Sequence, residues 1–193
     1  MDNDARIDLL ARVARSASAA GAPVDSAKPV SILSLAAASY GARPSEDATV
    51  PTGFDPVAIA LFESIVEAAY VVANADGVFD GAERQTFERV VHAACAGAVT
   101  AQQIVDLVAD LGDQLAEDGA DRRIDALAQA VSRREHAIEV LRIAALLAQT
   151  SDGVSAAERD ALTKIARACG LQPDDVDTAL ADVKKALASA GVG

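Results

Sequence analysis

The chain of 193 residues is long enough to bury one sizeable hydrophobic core without a covalent staple. Its net charge is −12, aromatic residues make up 3% and Trp is absent, so the composition argues against nucleic-acid binding, which needs a basic face and stacking rings. The charge is uneven, because six acids stand against five bases before Asp55 and 23 acids against 12 bases from Asp55 onward. An acidic region of this kind suits metal cations or basic partners, although solubility alone is a commoner reason for it.

Cysteine usage and the chain's apolar stretches bear on its compartment. Two cysteines, Cys95 and Cys169, make no disulfide framework. The acidic first residues lack the basic and apolar regions of a signal peptide. We identify the longest apolar stretches around Leu33 and Leu146, and both are too short to span a bilayer. We therefore expect a cytoplasmic protein with no direct membrane span.

Residues 1–53 differ in pattern from the rest and are expected to form an N-terminal extension with a linker. A short helix is indicated by apolar residues at helical spacing, namely Ile7, Leu10, Val13 and Ala17. A second apolar stretch covers residues 30–40, and a segment rich in Pro, Ser and Gly follows from 41 to 53. The pattern leaves open whether this extension is partly disordered or docks on the remaining domain, residues 54–193.

Seven helices are predicted between Asp55 and the C-terminus, which makes the fold class all-α. Five starts carry capping signals, in which a polar N-cap is followed by Pro at the first helical position or by Glu or Gln three residues later: Asp55-Pro56, Asp80/Glu83, Thr100/Gln103, Ser132/Glu135 and Ser155/Glu158. The remaining two helices are expected near residues 121–131 and after Pro173, and Gly170 is expected to end the sixth.

The domain contains a diverged internal repeat, with copies at about 55–118 and 121–190. A shift of 76 places Asp76-Gly77-Val78 on Asp152-Gly153-Val154, and a shift of 75 places Glu83 on Glu158. The difference of one is a residue lost from the second loop. We interpret this as a duplicated helix–loop–helix, and such pairs usually pack about a pseudo-twofold axis.

Each repeat carries an acidic Asp-Gly loop. The first ligand place of an EF-hand is filled by Val72 in one copy and Ala148 in the other, so a true EF-hand is not expected. Capping accounts for the other acidic loop residues, but Asp76 and Asp152 follow apolar helices, where the helix dipole disfavours a carboxylate. A bound cation would relieve this cost; alternatively, each Asp accepts N–H bonds within its own turn.

Two glutamates precede these loops by 13 residues. Glu63 and Glu139 lie roughly 20 Å along the helix from Asp76 and Asp152, so neither can join the loop of its own repeat. Antiparallel packing of the two long helices would bring each glutamate toward the loop of the other repeat.

The two loops resemble a known signature. Residues 75–84, Ala-Asp-Gly-Val-Phe-Asp-Gly-Ala-Glu-Arg, resemble the ADG-x-hydrophobic-[S/D]-x-x-E motif of TerB-like domains, and residues 151–159 look like a shortened second copy. The family includes the tellurite-resistance protein TerB and the N-terminal region of a membrane-anchored DnaJ-type co-chaperone. The similarity covers roughly residues 55–190.

The resemblance implies a TerB-like helical bundle with clustered acidic residues that bind a divalent metal, with calcium preferred. The residues carried over by the motif are Asp76, Asp80, Glu83, Asp152 and Glu158. It also implies a non-enzymatic scaffold or sensor in tellurite or other chemical-stress resistance, acting through protein complexes at the inner face of the membrane. Ser155 replaces an acid in the second copy, so two equal sites are not expected.

Other functions find less support in the residues. His92 and Cys95 share a helix face, but a zinc site would need His136 and Cys169 from far along the chain. The sequence has no recognisable nucleophile–base order and no phosphate-binding Gly-rich loop. The alternative to a metal protein is a metal-free helical interaction module for a basic partner, linked to chaperone or membrane-associated complexes.

Overall fold

The structure is a computed structural model that describes residues 2–16, 31–42, 55–77, 79–150 and 153–191. All the secondary structure in these ranges is helical: α1 Asn3–Arg15, α2 Ile32–Gly41, α3 Pro56–Ala73, α4 Gly81–Ala94, α5 Ala101–Asp118, α6 Ala120–Ala130, α7 Arg134–Leu147, a 3-10 turn Ala148–Thr150, α8 Ala156–Ala168 and α9 Pro173–Ala190. The predicted all-α class is confirmed, and α3 to α9 are the seven helices expected after Asp55.

Local capping explains most of the helix starts. The Asp55 carboxylate accepts from the amides of Val57 and Ala58, and Thr100 with Gln103 forms the predicted capping box. The Ser132/Glu135 box is wrong: α7 begins at Arg134, its N-cap is Arg133, and that cap makes no side-chain hydrogen bond. The first turn of α7 closes instead through the backbone, from the amide of Ala137 to the carbonyl of Arg133.

Helices α3 and α7, which open the two repeats, pack against each other at the centre of the bundle. Ala68 and Ala69 of α3 are completely buried, as are Ala144 and Ala145, which occupy the equivalent places on α7. Small side chains let two helix axes approach closely, so the repeat places matching alanines in the central helices.

Helix α3 is long and apolar enough to cross a membrane by length and composition, a stretch that the sequence analysis overlooked. Only two of its 18 residues, Glu63 and Glu67, are charged. Two thirds of the helix is buried inside the bundle, so its central position accounts for its apolar composition.

The N-terminal helices dock on the rest of the bundle, which answers the question that the sequence left open. Helix α1 packs against α4, α7 and α9, and α2 packs against α3. Their apolar faces join the same hydrophobic core as α3 and α7. The linker residues 43–54, and with them the proposed domain division after residue 53, lie outside the described residues.

A buried ion pair holds the C-terminal end of α1. The Arg142 guanidinium donates to both carboxylate oxygens of Glu139 at 2.8 and 3.0 Å, and also to the carbonyls of Val13 at 3.0 Å and Ala14 at 2.8 Å. Arg142 thereby places its positive charge against the last carbonyls of a helix whose dipole favours a cation there. Glu139, which the sequence analysis expected to approach the loop of the other repeat, is buried and pairs with Arg142.

A second, partly buried ion pair joins α3 to α6. The Nε of Arg123 lies 2.6 Å from Oε1 of Glu67, and its Nη1 lies 3.3 Å from the Asp118 carboxylate. Burial raises the pKa of Glu67 above its ordinary value, and the hydrogen bond from Arg123 opposes that rise without cancelling it. The two central helices therefore both carry a buried glutamate paired with arginine, at positions that the repeat does not relate.

Candidate functional site

The acidic loops of the two repeats line one cleft of about 280 Å³. The first repeat contributes its loop and the start of α4, the second its loop and the start of α8, and α1 adds its first residue. The lining residues are Asn3, Ala73, Asp76, Phe79, Ala82, Glu83, Thr86, Gly153, Ser155 and Glu158. Pairing of the repeats through α3 and α7 thus brings two loops, 76 residues apart in sequence, to one place.

The first loop is a compact turn fixed by its backbone and by one aromatic ring. The amide of Gly77 donates to the carbonyl of Asn74 at 3.0 Å, and Gly77 has φ +77°, which a side chain would disfavour. Phe79 packs edge-on against Tyr70 of α3 and Phe87 of α4, and the three ring centroids are 5.4 to 6.0 Å apart. Asp76 projects from this pinned turn and is exposed.

Capping boxes hold one oxygen of each glutamate in the cleft. Oε2 of Glu83 accepts from the amide of Asp80 at 3.2 Å, and Oε2 of Glu158 accepts from the amide of Ser155 at 2.7 Å. Glu83 is exposed, whereas Glu158 is buried, with 8% of its surface accessible. The N-terminal ends of α4 and α8 also favour negative charge, so both carboxylates are stabilised where they lie even without a cation.

The five predicted site residues lie in three different kinds of position. Asp76, Glu83 and Glu158 line the cleft. Asp80 is not among the lining residues; its Oδ1 accepts from the amides of Ala82 and Glu83 at 2.8 and 2.9 Å and so caps α4. Asp152 lies outside the described residues. Among all the residues that the structure describes, those of the cleft included, no three His, Cys, Asp or Glu side chains form a group that could hold a metal ion.

Every polar side chain that the structure describes in the lining of the cleft carries an oxygen atom. Beside the three carboxylates, the cleft contains the hydroxyls of Thr86 and Ser155 and the amide of Asn3. An all-oxygen donor set suits a hard cation such as calcium or magnesium rather than zinc or copper. Each glutamate has one oxygen on its cap and a second that could face a cation. The type of donor atom therefore suits the implied metal, but the described acidic side chains are not grouped closely enough to hold one.

Two lining residues were missed in the sequence analysis. Thr86 lies three residues after Glu83 and so falls on the same face of α4, a spacing that could have indicated it. Asn3 belongs to α1, outside both repeats, and reaches the cleft only because α1 docks across the bundle. No local sequence signal marks such a residue.

The two thiols are poor nucleophiles. Burial raises the pKa of Cys95 to about 12 and that of Cys169 to about 11. A thiol with so high a pKa holds its proton near neutral pH, and buried Cys95 and half-buried Cys169 both behave as small hydrophobes.

Comparison with known proteins places the chain in a family. The family model of tellurite resistance protein TerB matches residues 62–181, which is more than half of the chain and includes both acidic loops. No curated protein and no solved structure matches. The match begins inside α3 and ends inside α9, so α1 and α2 lie outside it. By its own sequence and over most of its helical core, this chain belongs to the TerB family.

Proposed function

We propose that this TerB-family protein binds a divalent cation, calcium in the first instance, in the cleft between its two acidic loops. One observation carries the proposal: the packing of the repeats gathers Asp76, Glu83 and Glu158 around one cleft, and every polar side chain described in its lining carries an oxygen atom. The proposal includes two further acidic residues. Asp80 contributes indirectly, by capping the helix that carries Glu83, and Asp152 belongs to the second loop by sequence.

The protein would act as a non-enzymatic scaffold or sensor in tellurite or related chemical-stress resistance. Its location would be the cytoplasm, in part at the inner membrane face within protein complexes. The support is the family membership and the absence, among the residues lining the described cleft, of a nucleophile paired with a general base. A bound cation would supply positive charge that draws the two loops together. The residues of the cleft would hold the cation in position.

The affinity we expect is modest. One oxygen of Glu83 and one of Glu158 are already engaged by backbone amides, so each residue offers the cation a single oxygen. Calcium takes about 6–8 oxygen ligands, and sites with few charged ligands bind in the weaker part of the calcium range.

A thermal melt tests the proposal. The full chain is melted in chelator and again in millimolar calcium, as wild type and as Asp76→Ala with Asp152→Ala. A cation that binds only the folded state raises the wild-type Tm, and we expect the double variant to lose that rise. The pair Glu83→Gln with Glu158→Gln is the matched variant, because Gln keeps the capping acceptor while removing the charge. An unchanged wild-type Tm would contradict the proposal.

A second candidate function is a metal-free interaction module, and one surface favours it. Helix α5 has no Lys or Arg and presents four exposed acids at spacings of four, three and four residues, which places them on one face: Asp106, Asp110, Asp113 and Glu117. Such a stripe is complementary to a basic partner. Indifference to calcium, together with salt-sensitive binding of a basic partner that is lost when these four acids become amides, would favour this function.

A further inference from the structure

We propose that the surface beneath α1 is a groove that binds an amphipathic helix of a partner protein. Helix α1 is the intramolecular occupant of this groove, and the partner helix binds by displacing it. The walls of the groove come from α4, α7 and α9, against which α1 packs. Helices α4 and α7 lie within the TerB match and α9 begins within it, whereas α1 lies outside. The inference goes beyond the proposed function, because it involves no cation.

Helix α1 has the residue spacing of a helix that binds in a groove. Four of its buried residues stand at i, i+3, i+4 and i+7 and so share one face: Ile7, Leu10, Ala11 and Ala14. Ala14 lines a small void that is entirely apolar and is shared with side chains of α4 and α7. The groove therefore offers an apolar surface to one face of a single helix.

The groove also carries a receptor for the C-terminal end of a helix. Arg142 of α7 is buried, and its guanidinium donates to the carbonyls of Val13 and Ala14 in the last turn of α1. Glu139 of the same helix accepts from Arg142 at 2.8 and 3.0 Å, so α7 orients the guanidinium without help from α1. A helix that continued past this point would bond the same carbonyls within itself. The arginine therefore favours a helix that ends here.

The opposite end of the groove selects charge. Asp4, in the first turn of α1 and three residues before Ile7, pairs with Arg89 of α4 at 2.6 Å. One arginine thus faces a carboxylate at the start of the helix, and the other faces carbonyls at its end. Together they fix the direction and the register of whatever helix occupies the groove. The partner helix that fits has an acid three residues before its first apolar contact and ends soon after its last.

Helix α1 is held by fewer buried residues than the central helices are. Five of its 13 residues are buried and two of those five are alanines, whereas 12 of the 18 residues of α3 are buried. Docking must also order the residues of α1 against their conformational entropy. Elements with few buried contacts open at a lower free energy than the whole protein does. We therefore expect α1 to leave the groove without unfolding of α3 and α7.

The strength of competition from α1 decides between two kinds of occupant. A helix tethered in the same chain competes at an effective concentration on the order of 1 mM. A second copy of the chain offers the same helix at a far lower concentration and so displaces little of it. A helix that is already folded in its own protein loses less conformational entropy on binding than α1 does. This comparison favours a partner with a preformed helix over a second copy.

The test is displacement of α1 in the isotope-labelled full chain by unlabelled peptides, followed through the NMR signals of the α1 amides. The probe comprises residues 2–16 with Arg12→Lys and a lactam bridge from Asp8 to that lysine. Both positions are exposed and lie one turn apart, so the bridge preforms the helix without touching the buried face. We expect this peptide to displace α1 at an about tenfold lower concentration than the unbridged peptide, while the signals of α3 stay folded. The bridged peptide with Leu10→Asp is the control and should displace nothing.

A charge reversal tests whether the peptide occupies the register of α1. Arg89 is exposed, so Arg89→Asp in the full chain leaves the fold intact while it repels Asp4 of the peptide. On wild type we expect the bridged peptide to outcompete its Asp4→Arg version by about threefold, and on the Arg89→Asp chain we expect the opposite order. A peptide that associates through unspecific apolar contact would show no such reversal.

Each outcome decides for or against the proposal. Displacement of α1 with the reversed preference on Arg89→Asp would support it. Signals of α1 that stay docked at about 10 mM bridged peptide would overturn it, as would displacement without the reversal or loss of the folded signals of α3 together with those of α1. Dimerisation of the chain alone through exchange of α1, at roughly tens of micromolar, would make a second copy the occupant and overturn the assignment to a partner.

Discussion

The two repeats share a backbone plan but stabilise it by different means. In the first repeat, Phe79 closes an aromatic cluster with Tyr70 and Phe87, so the loop is pinned by side chains of its own repeat. The places equivalent to Tyr70 and Phe87 in the second repeat are aliphatic, Leu146 and Leu162, and its shorter loop carries no aromatic residue. There the support comes from outside, through Arg6 and Arg142, which tie α1 to the turn and to α7. A duplicated element thus keeps its geometry while its stabilising contacts diverge.

The largest effect should come from breaking the ion pair that supports the second repeat. Arg142→Met leaves Glu139 buried without a partner and removes the hydrogen bonds from Arg142 to the carbonyls of Val13 and Ala14, so we expect a loss of about 3–5 kcal/mol in the free energy of unfolding. Denaturant titration measures it. Adding Glu139→Leu removes the stranded charge and should recover part of the loss. A loss below about 1 kcal/mol for the single variant would show that α1 is not anchored this way.

A smaller effect should follow from loosening the first loop. Phe79→Ala removes a half-buried ring from the aromatic cluster and should cost about 2 kcal/mol, whereas Val154→Ala should cost about 1 kcal/mol or less. The free energy of unfolding of both variants, measured in chelator, checks the order. Equal losses for the two variants would mean that the aromatic rings do not stabilise the first loop more than aliphatic packing stabilises the second.

A still smaller and more local effect is expected from Arg6→Ala. Loss of one hydrogen bond to the Gln149 carbonyl should cost about 1 kcal/mol. Hydrogen exchange should quicken at residues 153–155 of the second loop and stay unchanged at residues 75–77 of the first. Arg12→Ala, an exposed arginine on the same helix, is the control. Equal quickening of both loops would contradict the separate support of the second repeat.

The smallest effect is a pH dependence at the ion pair between α3 and α6. The pKa of Glu67 is raised in the folded state, chiefly by burial, so the folded chain keeps this proton where the unfolded chain has lost it. Its contribution to stability is therefore complete below the ordinary pKa of 4.5 and is lost as pH rises through the raised folded pKa. As pH rises through that range, the free energy of unfolding of wild type should therefore fall relative to that of Glu67→Gln. A difference that does not vary with pH would contradict it.

Much of the fold could be predicted because it is encoded locally. Capping boxes and helical periodicity located most of the seven helices after Asp55, and the repeat indicated that the two loops belong together. The start of α7 was misplaced because its first turn closes through backbone alone. Three features depend on contacts between residues more than 50 positions apart, which periodicity does not encode: the docking of α1, the roles of Arg142 and Arg123, and the place of Asn3 in the cleft.

The same distinction applies to the candidate site. The acidic residues Asp76, Glu83 and Glu158 were found from a short motif, and the structure brings them to one cleft. Asp80 carries the same motif but serves as an N-cap, since its carboxylate already accepts two backbone amides. A motif therefore selects residue types, and tertiary packing decides which of them face a shared cavity.

The most direct test of the central claim, that the two loops share one cation site, is the stoichiometry of calcium binding by calorimetry. The account predicts one calcium per chain, weakened by Glu83→Gln and by Glu158→Gln alone, with the double variant losing the same single site. Two independent sites, each abolished only by the variant in its own repeat, would contradict the shared cleft, and so would a wild type that binds no calcium.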